Sequence, residues 1–192
     1  MGVWMSDWST ASMAVISGYF DASGSASGTD VVAVAGLAST PDRWLRFDHD
    51  WNECLADHRV SALHMKDFTQ SRREFSGWNI DEPKRKRFLA QLLWVIETWI
   101  DFTAACAVDI PLYNSADKEY ALSEVMRPYS LASFTCVVNI RAWVETKGHS
   151  RGDVAYFFEH GDEDQDDLRR CWSHLAPSLI VDPIFLTTAV RL

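Results

Sequence analysis

Within Leu63-His64-Met65-Lys66-Asp67-Phe68 an imidazole and a carboxylate stand three residues apart, between a short apolar run and a polar stretch. Groups of this kind bind metal ions or move protons near neutral pH. A His-x-x-Asp spacing alone is common. It gains weight from two further acids that follow apolar runs, Asp21 after Met13–Phe20 and Glu159 after Val154–Phe158. If Val60–His64 is also a strand, Asp67 makes a third acid at a strand end. Carboxylates at neighbouring strand ends repel one another unless positive charge sits between them. Divalent cations held by oxygen ligands resolve that repulsion, and such a site supports in-line attack of water on a phosphodiester.

Each residue also has a plainer reading. Asp21, in Asp21-Ala22-Ser23-Gly24, has the chemistry to cap a turn. His64 fits a hydrogen-bonded structural histidine, and Asp67 a helix cap or turn residue. Glu159 is the hardest to dismiss, because a carboxylate directly after an apolar run needs a partner. From Glu159 to Asp167 six of nine residues are acidic. Asp162, Asp164 and Asp166 alternate as in a calcium loop, but Asp167 stands where glycine is required and Ser173 where glutamate is, which excludes an EF-hand. Asp166 and Asp167 instead suit the first turn of a helix. Arg72, Arg73 and the run Lys84–Arg87 could grip phosphates, or be solvated helix surface. Trp78 could stack on a base, or pin its loop to the core.

Composition bounds these readings. The chain has 192 residues, 47% of them hydrophobic, with nine tryptophans and ten phenylalanines, enough for one full core. A net charge of −9 argues against a protein that coats nucleic acid through a general positive field. It does not exclude a nuclease, whose carboxylate site is acidic until cations bind. Cys54, Cys106, Cys136 and Cys171 are too dispersed for a metal knuckle. No signal segment is recognisable and Met13–Phe20 is too short to span a bilayer, so the expectation is a cytoplasmic chain with reduced thiols and no membrane partner.

The elements that would position these groups follow from periodicity. Met13–Phe20 and Val31–Leu37 read as a β-hairpin around a Gly/Ser/Ala loop. Pro41 opens a helix to residue 57, with Trp44, Phe47, Trp51 and Leu55 on one face. Val60–His64 reads as a short strand and 69–82 as a loop. A second helix starts at Pro83, carrying Phe88, Leu92, Val95 and Trp99. Phe102–Ile110 reads as a strand ending at Pro111, and 112–129 as a loop with a short helix. A third helix runs from about Leu131 to Gly148, then a buried strand at Val154–Phe158, a helix over about 164–175 and a closing strand at Ile184–Val190. The class is α/β, with a mixed sheet flanked by helices.

The set resembles the domain-of-unknown-function 3800 family, a bacterial and phage group in the ribonuclease H-like superfamily. The resemblance rests on Tyr19-Phe20-Asp21 with Ser23-Gly24, Val34–Gly36, the Trp44/Trp51 helix, Leu63–Phe68, Phe75-Ser76-Gly77-Trp78, Pro128–Ala132 and Tyr156–Asp162, which occur in the family's order. It implies a ribonuclease H-like mixed central sheet over residues 13–192; the first twelve residues show no clean period and read as a loose arm. It also implies a nuclease that uses Mg2+ or Mn2+ to hydrolyse phosphodiesters of a nucleic acid through a metal-activated water. By that resemblance Asp21, Asp67 and Glu159 are catalytic and metal-binding candidates, with His64 as a further catalytic residue and Asp162 as a further ligand. Two departures matter. Members often carry Asp-Glu-Ser-Gly where this chain has Asp21-Ala22-Ser23-Gly24. They also continue into a Gln-x-Ala-Asp helix, whereas this sequence ends at Arg191-Leu192. The expectation is therefore a site one ligand short, with a catalytically inactive scaffold for a protein or nucleic-acid partner as the alternative. A serine hydrolase using Ser23 and His64 ranks last, because Ser23 lies in no nucleophile elbow.

Overall fold

The computed structural model describes residues 15–24, 28–149, 153–159, 164–175 and 183–186. The expected N-terminal arm, Asp162 and the last residues of the expected closing strand lie outside them. The chain divides into two compact units. One comprises the described residues up to Thr40 and from Phe102 onward, the other Pro41–Asp101.

The first unit is built on a five-stranded mixed sheet of order β3-β2-β1-β4-β5. Its strands are β1 (Ile16–Ser23), β2 (Val31–Ser39), β3 (Phe102–Asp109), β4 (Val154–Glu159) and β5 (Ile184–Leu186). β1 and β2 pair antiparallel, as do β2 and β3, whereas β4 runs parallel to both β1 and β5. The carboxyl ends of β1, β3, β4 and β5 therefore share one edge. Successive side chains alternate between faces. Phe20, Val32, Val34, Ala104, Tyr156 and Phe158 form the core face. Helix α6 (Pro128–Thr146) packs there through Tyr129, Ala132, Cys136, Val137 and Ile140, and α7 (Gln165–Leu175) through Leu168 and Trp172. Small residues on α6 allow close approach, and the Cys136 thiol reaches the Val34 carbonyl at 3.4 Å.

The second unit is helical. In α1 (Pro41–Asp57) and α3 (Glu82–Trp99) the start of one helix meets the end of the other. Arg43 of α1 donates to the carbonyls of Thr98 and Trp99, which an α-helix leaves without internal partners, and pairs with Asp101 at 3.1 Å. Between them lie α2 (Met65–Thr69) and 3-10 turns at Arg73–Phe75 and Trp78–Ile80. Phe68, Phe75, Trp78 and Phe88 meet as a cluster of tilted and edge-to-face rings. Trp78 is buried here and serves the core rather than a base.

Three expectations from the sequence are corrected. Val60–His64 is not a strand, because its polar groups are used locally. The Val60 N–H goes to the Leu55 carbonyl, closing α1, and the Ser61 N–H and hydroxyl go to the Glu74 carboxylate. Asp67 consequently lies inside α2 and not at a strand end. Second, β1 does not stop at Phe20. Pairing with β2 carries it to Ser23, so Asp21 sits within the strand, opposite Ala35. Third, the segment after β3 is mostly helical, with α4 at Ile110–Tyr120 and α5 at Leu122–Val125. Pro111 ends the strand but also starts a helix well, and Asp109 caps α4 through the Leu112 N–H at 2.8 Å.

Candidate functional site

Asp21 and Glu159 come from adjacent parallel strands. Phe20 and Phe158 are in register across β1 and β4, with rings stacked at 4.5 Å on the core face. One step earlier, Tyr19 and Phe157 stack at 4.7 Å on the opposite face. Asp21 and Glu159 are the next residues, so alternation turns both toward the Tyr19/Phe157 face. Strands lie about 4.8 Å apart, a backbone spacing from which an aspartate and a glutamate can reach one cation with ligand distances of about 2.0–2.6 Å.

Local contacts set each side chain. Both residues are exposed. The Ala22 N–H donates to Asp21 Oδ1 at 2.8 Å, which fixes one oxygen. The end of β4 is held by buried Gln165, whose amide donates to the Glu159 carbonyl at 2.8 Å, and by pairing of Glu159 with Leu186. Gly36 faces Phe20, and a Cβ there would stand 2.5 Å from the Phe20 ring. This glycine is what lets Phe20 lie flat beside Phe158. In the same transverse row, Asp21 opposes Ala35 and Ala35 opposes Ala105. With Ser23, Ala33 and Ala107 these residues border an open groove of about 370 Å³.

His64 and Asp67 are brought together in the helical unit. His64 is the N-cap position of α2, without a side-chain cap bond, and Asp67 is in its first turn, facing Arg73 at 3.5 Å. They line a cleft of about 160 Å³ with Ser61, Arg73, Glu74 and Phe75. Glu74 is committed to Ser61. Asp162 lies outside the described residues.

Sequence reasoning missed two carboxylate arrangements. His49, Asp50 and Glu53 on α1 have ligand atoms within 4.8 Å of one another. Asp50 accepts the Trp99 indole N–H at 2.6 Å. The triad is largely exposed, and such surface groupings on a helix are ordinary. Asp167 is the more informative case, at 8% exposure. Its Oδ2 accepts from the Arg127 N–H at 2.9 Å and the Ser130 hydroxyl at 2.7 Å, and its Oδ1 accepts from Arg170 at 2.6 Å. Burial would raise its pKa, but the Ser130, Arg127 and Arg170 contacts outweigh burial and hold it below the usual aspartate value. Arg170 also reaches the carbonyls of Glu124 and Val125. Asp167 thus caps α6 from another helix and ties α5, α6 and α7 together. The available signal was helical phase, because Asp167 falls on the stripe of Leu168, Cys171 and Trp172.

All four cysteines are free thiols. Burial and the neighbouring Cys106 push the Cys136 thiol up to about 11. Among the described residues no helix is long and apolar enough to cross a membrane. Compared with models of protein families, with curated proteins and with solved structures, the chain matches none.

Proposed function

We propose that this protein is a divalent-metal-dependent nuclease of ribonuclease H-like type, akin to the domain-of-unknown-function 3800 family, with Asp21 and Glu159 as the carboxylates that hold Mg2+ or Mn2+. The observation that carries this reading is their position on adjacent parallel strands, one residue beyond the stacked Phe20/Phe158 pair. Ligands of open α/β sheets gather at the carboxyl ends of parallel strands. A five-stranded mixed sheet with β1 at its centre supports the same reading. The donor set suits Mg2+, which is commonly held by one or two carboxylates, with waters and substrate phosphate completing its shell.

When bound, the cation supplies charge stabilisation at the phosphodiester and lowers the pKa of water. The protein's own part is positioning. Ala22 orients the Asp21 carboxylate, Gln165 holds the end of β4, and the alanine floor leaves room for a substrate strand beside Asp21. A second reading, an inactive scaffold, is favoured by one observation. Among the described residues no third His, Cys, Asp or Glu ligand gathers with Asp21 and Glu159. The test is hydrolysis of single-stranded and duplex DNA and RNA by wild type and Asp21→Asn, with Mn2+, with Mg2+ and in chelator. Metal-dependent cleavage that Asp21→Asn abolishes is expected. Cleavage that survives in chelator or in the variant overturns the proposal, and absence of cleavage under every condition selects the scaffold.

A further inference from the structure

In a chain of net charge −9, residues 59–87 hold eight Lys and Arg against four Asp and Glu. The four acids are all committed. Asp67 faces Arg73, Glu74 holds Ser61, Asp81 caps the Lys84 N–H at 3.0 Å, and Glu82 pairs with Lys86 at 2.7 Å. The two basic clusters are joined. Arg85 donates to the Ser71 hydroxyl at 2.7 Å and lies over the Phe68 ring, while the Lys84 ammonium stands 3.8 Å from the Trp78 ring centre. The loop carrying Arg72 and Arg73 is thereby held beside the first turn of α3.

A second observation points the same way. Ser71 and Arg73 have φ of 50° and 53°, a left-handed conformation that L side chains avoid. Non-glycine residues hold such geometry only where their surroundings over-determine it, and such positions cluster at ligand sites. Here they flank Arg72, above the rigid Phe68/Phe75/Trp78/Phe88 cluster. Lys84 and Arg85 also crowd positive charge at a helix N-terminus, which a bound anion would relieve.

We infer that Arg72, Arg73, Lys84 and Arg85 form a binding surface for the phosphate backbone of a nucleic acid. Guanidinium groups present paired donors matched to phosphate oxygens, and Lys84 adds a point charge. The surface reads no bases, since Trp78 is buried beneath it. Its operation requires no metal and does not depend on Asp21 or Glu159 being catalytic.

Fluorescence anisotropy in chelator tests it, using a short labelled DNA single strand and its duplex over a range of salt. Binding should weaken linearly in log–log form, by about 0.9 per duplex phosphate neutralised and so with a slope of roughly −3 to −4 for four cations. Arg72→Ala and Lys84→Ala should each weaken binding to all sequences alike and lower the slope by about 1. Arg141→Gln, in the other unit and paired with Glu145, should bind as wild type does. Arg72 is exposed, so its removal leaves the fold intact, which near-UV circular dichroism checks. No binding at low salt, binding unchanged by Arg72→Ala and Lys84→Ala together, or equal affinity for polyglutamate would each overturn the inference.

Discussion

Asp21 and Asp167 belong to the same unit but meet opposite conditions. Asp21 is exposed, and its one hydrogen bond among the described residues comes from the adjacent Ala22 N–H. Asp167 is buried, and both its oxygens are filled by the Arg127 N–H, the Ser130 hydroxyl and Arg170. Asp109 lies between these extremes, a strand-end acid used as a helix cap. Burial and bonding therefore sort the acids of this chain. A carboxylate whose lone pairs are spent holds structure together, whereas one with an oxygen to spare at the sheet edge is available to a ligand.

The comparison is broken most directly at Asp167. Asp167→Ala leaves the Arg127 N–H and the Ser130 hydroxyl without their acceptor, and each buried donor left unsatisfied costs about 1–3 kcal/mol. That should lower the melting temperature by on the order of 10 °C. A change below about 0.5 kcal/mol would show that the α5–α6–α7 tie is ornamental. The pH dependence has a definite sign. Because its folded pKa is depressed, Asp167 contributes stability fully above the unfolded aspartate value of about 3.9, and that stability is lost as pH falls through the lower folded value. Urea denaturation on the acid side should show this limb in wild type and not in Asp167→Ala.

Gly36→Ala should cost about 1–3 kcal/mol by overpacking, because Phe20 is wedged against Phe158 and cannot move away. Since Phe20 precedes Asp21, the same variant should weaken the rise in melting temperature produced by Mn2+. Tyr156→Phe should be within about 1 kcal/mol of wild type and on the stabilising side, because the Tyr156 hydroxyl is buried with no partner among the described residues. A clear loss in thermal denaturation would reveal a partner for that hydroxyl. Smallest of all is Asp21→Asn, at an exposed position, where stability should stay within about 0.5 kcal/mol. Its signature is instead loss of the Mn2+-induced thermal shift, which mass action produces only if the folded chain binds the ion. An unchanged shift would remove Asp21 from the site.

Periodicity in the sequence was sufficient for the helices at 41–57 and about 83–99, for the hairpin and for the buried strand at 154–158, because each has an apolar pattern that local geometry alone reads out. It also selected Asp21 and Glu159 as acids following apolar runs. Three things were decided only by tertiary structure. Residues 60–64 became an irregular segment because Glu74, distant in sequence, took the Ser61 donors. Asp167 became a latch because its partner Ser130 lies 37 residues away. Asp21 and Glu159 became neighbours because β4 aligns in parallel beside β1. Local sequence carries periodicity and capping chemistry, but pairing across the fold depends on which hydrogen-bond donors and strand edges remain after nearer partners are satisfied. No single segment contains that information.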